Sequence, residues 1–258
     1  MQIKEDKNGQ VTIFIIVAVV IIAIGVAAYF VYPKVKTTET FDSKNPSAFI
    51  QSCLESELRN NVELISSQGG SLNPGNYILY DNSKVEYLCY TNQDYQTCVM
   101  QQPLLKEHIE SEIKNSIEVS AKDCFTSLVN SYEKIGENVN LEEGNTDVEL
   151  IPKKIIVTFN KVLTLTDGNS ERYENFKINL DNNLYELVSI TDSILEWEAR
   201  YGDADSSGYM DYYHWLKVEK EKRDDGSKIY ILTDKDKGNK FQFASRSIVW
   251  PSGYGEVI

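Results

Sequence analysis

A single uncharged, apolar run near the N-terminus, Val11 to Tyr32, constrains this chain more than any other feature. It follows the polar MQIKEDKNGQ and precedes Pro33, Lys34 and Lys36. At 1.5 Å per residue, roughly 22 helical residues span about 33 Å, close to the hydrocarbon thickness of a bilayer. The run holds fourteen Val, Ile and Phe residues, and their insertion is favoured by roughly 4 to 8 kcal/mol. It is longer than the h-region of a typical cleaved signal, and no Ala-x-Ala site follows. The expected organisation is a cytoplasmic leader over 1–10, a transmembrane helix over 11–32 and a polar linker over 33–44. The bilayer is then a partner, and the helix offers a surface for self-association. Lys4 and Lys7 on one side balance Lys34 and Lys36 on the other, so the positive-inside count does not set the orientation.

Cysteines bear on sidedness. Cys53, Cys89, Cys98 and Cys124 all follow the apolar run, and none forms a C-x-x-C pair. An even, widely spaced set suits an oxidising exterior, which places the C-terminal part outside the cytosol and the N-terminus inside. Three pairings are possible. The favoured one joins Cys89 to Cys98 across the polar YTNQDYQT, and Cys53 to Cys124 between two expected helices.

Four Lys and two acids precede Thr37, so 22 basic and 37 acidic residues follow, a formal charge of −15. Such a surface repels nucleic acid and suits a soluble exterior.

The expected fold class is α+β, with helices packed on antiparallel hairpins and a C-terminal β-meander. Asn45 and Pro46 start a helix whose Phe49, Ile50, Cys53, Leu54, Leu58, Val62 and Ile65 point inward before Gly69 and Gly70 stop it. YILYD and VEYLCY make a short hairpin. Pro103 opens a helix striped by Leu105, Ile109, Ile113 and Ile117, and a continuation after Ser120 carries Cys124, Leu128, Tyr132 and Ile135 toward Gly136. Residues 45–136 thus read as a helical, cystine-bearing subdomain. From 137 to 258 the chain reads as a mixed subdomain: a hairpin turning at Asp167-Gly168, a helix from Leu184 to Tyr201, and strands WLKVEKEK, KIYILTD and KFQFASRS.

No catalytic motif is present, so a non-enzymatic role is expected, with a surface protein as a further partner and no required cofactor. His108 reads as a surface residue. DADSSGYMDYYH, Asp203 to His214, holds the best candidate ligands. Asp203, Asp205, Ser207, the Tyr209 carbonyl and Asp211 fall at calcium-loop positions, with Gly208 at the turn, but His214 stands where the bidentate Glu belongs. Plain turn chemistry explains the same residues, and a calcium-dependent binder or ectoenzyme using Asp203, Asp205 and Asp211 is the alternative function they would support. Tyr209, Tyr212, Tyr213 and Trp215 can stack on a sugar or a partner, or simply pack.

KNGQVTIFIIVAVVIIAIG resembles the class III signal of archaeal type IV pilins and related filament subunits. That resemblance implies a prepilin-peptidase cut between Gly9 and Gln10 on the cytoplasmic side, a retained helix, an external globular part and, for a filament subunit, polymerisation. Phe14 occupies the fifth mature position, where most pilins carry Glu, and Pro33 closes the helix early. More broadly, the chain resembles uncharacterised archaeal membrane-anchored proteins that begin with GQVTIFIIV, carry a Cys-Leu helix ending in Gln-Gly-Gly, here Cys53-Leu54 to Gln68-Gly69-Gly70, add a second helical Cys and continue into strands.

Overall fold

A computed structural model describes residues 20–21, 43–167 and 169–249. Val20 and Ile21 are helical. The remainder of the expected transmembrane helix, the leader with Gly9 and Gln10, and nearly all of the linker lie outside the described residues. Among the described residues, no helix is long and apolar enough to cross a membrane.

The described residues from 43 to 249 form one compact α+β unit. Helix α1 spans Pro46–Ser67, and the Asn45 side chain accepts a hydrogen bond from the Ala48 amide at 3.1 Å. That satisfies one of the first-turn N–H groups that have no helical partner, while Pro46 supplies a preset φ. Ile50, Leu54, Leu58, Val62 and Ile65 form the buried stripe. Cys53 lies on its exposed border instead of facing inward as expected. Its sulfur nevertheless reaches Cys124.

Helix α2 runs unbroken from Leu105 to Lys134, with no interruption at Ser120. Its stripe of Ile109, Ile113, Ile117, Ala121, Cys124 and Leu128 keeps helical spacing throughout. Three links join it to α1: the Cys53–Cys124 bond, Ser120 Oγ donating to Glu57 at 2.6 Å, and Asn61 Nδ2 donating to the Ser116 carbonyl at 3.2 Å. Each step of four residues forward on α1 is four back on α2, so the helices are antiparallel and the cystine sits in register with the hydrogen bonds.

The first sheet contains β1 (Tyr77–Tyr80), β2 (Ser83–Asp94), β3 (Val99–Met100), β8 (Leu216–Lys222), β9 (Ser227–Asp234) and β10 (Lys240–Ile248), ordered β1-β2-β10-β9-β8 with β3 also on β2. Asp81 and Asn82, both at positive φ, turn the β1–β2 hairpin. Cys89 bonds Cys98 beside the β2–β3 pairing. The β8–β9–β10 meander is antiparallel, and β10 then pairs with β2 in parallel. The sheet therefore crosses the expected boundary at 136/137, and the two expected subdomains share one sheet.

The second sheet is built on β6 (Lys154–Asp167). β7 (Asn169–Asp181) pairs along it from Lys154 to Asp167, while β4 (Asn138–Glu142) and β5 (Thr146–Ile151) share its other edge. Phe125 of α2 meets Phe159 and Phe176 of this sheet edge-on, at centroid distances of 5.5 and 5.1 Å. Ile50, Ile113, Val157, Ile194 and Phe241 belong to one buried cluster, so both sheets and all three long helices share a core.

Candidate functional site

Helix α3 spans Leu184–Tyr201 and presents two faces. Leu187, Ile190, Thr191, Ile194 and Glu198 are buried, while Ser193, Trp197 and Tyr201, one turn apart, look outward. Gly202 ends the helix in the left-handed conformation, with φ +77°, and donates its N–H to the Glu198 carbonyl at 2.9 Å. A short helix α4, Ser206–Tyr212, follows.

Between α3 and α4 lies an open groove of about 480 Å³. Trp197 and Tyr201 form one wall with ring centroids 4.9 Å apart. Tyr212 and Tyr213 form the other at 4.7 Å, edge to face, and Tyr213 continues to Trp215 at 5.9 Å. Ser193 and Tyr209 hydroxyls, 2.8 Å apart, tie the walls together. Burial raises the Tyr209 phenol above its ordinary value, Glu196 adds to the rise, and the Ser193 hydrogen bond opposes it.

The residues expected to cage calcium do different work. Asp203 accepts from Lys220 and Lys222, each at 2.9 Å. Burial alone would raise its pKa, but the two lysine hydrogen bonds prevail and hold it below the ordinary carboxylate value. Asp205 caps α4, its Oδ1 accepting from the Ser207 amide at 2.9 Å. Tyr209 and Asp211 lie on the helix, where the calcium reading required an open loop. Among the described residues, no three His, Cys, Asp or Glu side chains converge as a metal site would require. Asp-Ser-Ser-Gly forms the cap and first turn of this helix, a use of short oxygen-bearing side chains that helix starts share with calcium loops.

Behind this end of α3 is a buried polar network that the periodicity reading passed over. Glu198 is fully buried. Its Oε1 accepts from the Ala204 amide at 3.0 Å and from the Tyr230 hydroxyl; its Oε2 accepts from Lys228 at 2.7 Å and Ser245 at 2.9 Å. Lys228 also donates to the Gly202 carbonyl. Burial, and then the Glu198 charge, raise the Tyr230 phenol. The available signal was Glu198 itself, an acid one turn beyond Ile194 on an otherwise apolar stripe.

His108 is half-buried, not a surface residue, and its Nε2 lies 2.8 Å from Ser71 Oγ. Ser71 donates its proton to Glu86, so Oγ can only accept from the histidine. That is the reverse of nucleophile activation. Burial raises the Glu86 pKa, against the Ser71 hydrogen bond and the His108 charge. Glu112 accepts the Leu72 amide at 2.8 Å, so the cluster pins the Gln68–Leu72 loop.

Compared with known protein families, curated proteins and solved structures, the chain matches none.

Proposed function

We propose that this is a single-pass membrane-anchored protein with a cytoplasmic N-terminus and an extracytoplasmic, disulfide-bonded α+β domain. Its role is non-enzymatic, as an interaction or assembly component of the cell surface. The observation that carries the reading is the state of the cysteines: all four are paired, with none left free. Structural disulfides belong to oxidising compartments. The apolar run from Val11 to Tyr32 supports the anchor, and the acidic exterior supports a soluble domain beyond it.

The test is thiol labelling in intact cells. A small membrane-permeant maleimide, applied without reductant, leaves Cys53, Cys89, Cys98 and Cys124 unmodified, and external protease digests the domain while sparing the N-terminal peptide. Free thiols, or a domain shielded from protease until lysis, overturn the proposal. The pilin-like signal favours a second reading, a filament subunit cut between Gly9 and Gln10 and packed through residues 11–32. Mass spectrometry of the native N-terminus separates the two, since a filament subunit begins at Gln10.

A further inference from the structure

We infer that the aromatic groove between α3 and α4 binds a neutral saccharide. This goes beyond the proposed surface role and does not depend on the anchor.

Three large aromatic side chains stay in water around this groove: Trp197, Tyr201 and Tyr212 are 49, 50 and 77 % exposed. The fold does not need them, because α3 buries its opposite face through Leu187, Ile194 and Leu195. Clustered exposed aromatics of this kind mark ligand surfaces. The groove falls in the size range of small-ligand sites and combines ring faces with a few polar groups, as such sites do.

Charge selects the ligand class. Among the described residues, the charged side chains lining the groove are Asp203 and Asp205. Lys220 and Lys222 already pair with Asp203, so it recruits no cation. Asp205 spends Oδ1 on the Ser207 amide, and its second oxygen faces the position of Gly208, where no side chain intervenes. An anionic ligand meets these carboxylates without a lining cation to pair with. A cationic one competes at Tyr201 with the Arg200 guanidinium, which stands 5.3 Å from the ring centroid. What remains are apolar ring faces bordered by phenol hydroxyls and one carboxylate acceptor. A pyranose has the complementary form: C–H faces that stack on rings and equatorial hydroxyls that donate at the edges.

The experiment is isothermal titration calorimetry on the full chain in a sugar-free detergent solution, using short neutral oligomers of hexose and of N-acetylhexosamine, an oligouronate, tetramethylammonium chloride and trilysine. At least one neutral oligomer is expected to bind saturably. Its affinity should fall at least about tenfold in both Trp197→Ala and Tyr212→Ala, with melting temperatures unchanged, and hold in Leu79→Ala, an exposed control on β1. The inference is overturned if no neutral oligomer binds, if both aromatic variants bind normally, or if tetramethylammonium or trilysine binds through Trp197 where sugars do not. Labelling results on sidedness do not affect any of these outcomes.

Discussion

Glu198 and Lys228 meet at 2.7 Å in the interior, the carboxylate without solvent exposure and the lysine side chain 7 % exposed. The pair joins the last turn of α3 to β9, and Tyr230, Ser245 and the Ala204 amide complete the carboxylate's acceptor capacity. Removing one partner strands a buried charge. Glu198→Ala should therefore cost about 3 to 5 kcal/mol in urea unfolding. The double variant Glu198→Leu with Lys228→Met should recover much of that loss, since an apolar pair of similar volume is often neutral relative to a buried ion pair.

The two cystines should contribute unequally. Cys53–Cys124 closes a separation of 71 residues and Cys89–Cys98 one of 9. Loop entropy then predicts losses of about 4 kcal/mol and about 2.5 kcal/mol for the respective double Ser variants. Urea midpoints of the two variants, measured without reductant, check the order. Equal losses would show that native-state packing around the bonds dominates over chain entropy.

Asp192 on α3 should make stability fall as pH rises. Burial, followed by the Glu107 and Glu196 charges, raises its pKa from 3.8 to about 6, and its Oδ1 finds no hydrogen-bond partner among the described residues. The folded state thus holds this proton more tightly than the unfolded chain, and stability is lost between about pH 4 and pH 6, then levels off. Asp203 runs the other way, since its lowered pKa adds stability that disappears on acidification. Asp192→Asn should flatten the first decline and gain about 1 kcal/mol at pH 7, after allowance for partial solvation. Chemical denaturation at pH 4.5 and pH 7 measures both ends.

Gly202 should resist replacement. At φ +77° an L side chain is strained, and a Cβ there would come within 2.2 Å of Val249 Cγ1. Gly202→Ala should cost at least about 1 to 2 kcal/mol, with a lower melting temperature. Because Gly202 turns the chain toward Asp203, the variant should also weaken the Asp203–Lys220 contact, visible as a smaller loss of stability on acidification.

Where side chains repeat with a clear period, the elements were legible in the residues. The Ile50–Ile65 stripe, the Leu184–Tyr201 helix and the three C-terminal strands follow from spacing alone. The cystine partners followed from separation and context. Strand partnership did not: nothing local in KFQFASRS indicates that it pairs in parallel with VEYLCY more than 140 residues earlier, because ladder hydrogen bonds are made by backbone that every sequence shares. The site was half legible. Tyr209, Tyr212 and Tyr213 stood out as a cluster, but Trp197 and Tyr201 lay unmarked in the expected Leu184–Tyr201 helix, whose buried stripe ends on Glu198. The acids around Ser207 resembled a cation loop because helix caps and calcium loops draw on the same short oxygen-bearing side chains.

The position of β10 governs when the domain can be completed. This late strand lies between β9 and β2, two neighbours already present in the nascent chain. Until Lys240–Ile248 emerges, β2 keeps one ladder edge open along Tyr87–Asp94, and the β8–β9 hairpin has no strand through which to join the β1–β2 part of the sheet. Biosynthesis must therefore carry an unclosed first sheet until this strand is made, which makes holding factors during synthesis a natural requirement. A stop codon only a few residues upstream of β10 would remove the keystone of the first sheet, not merely a tail.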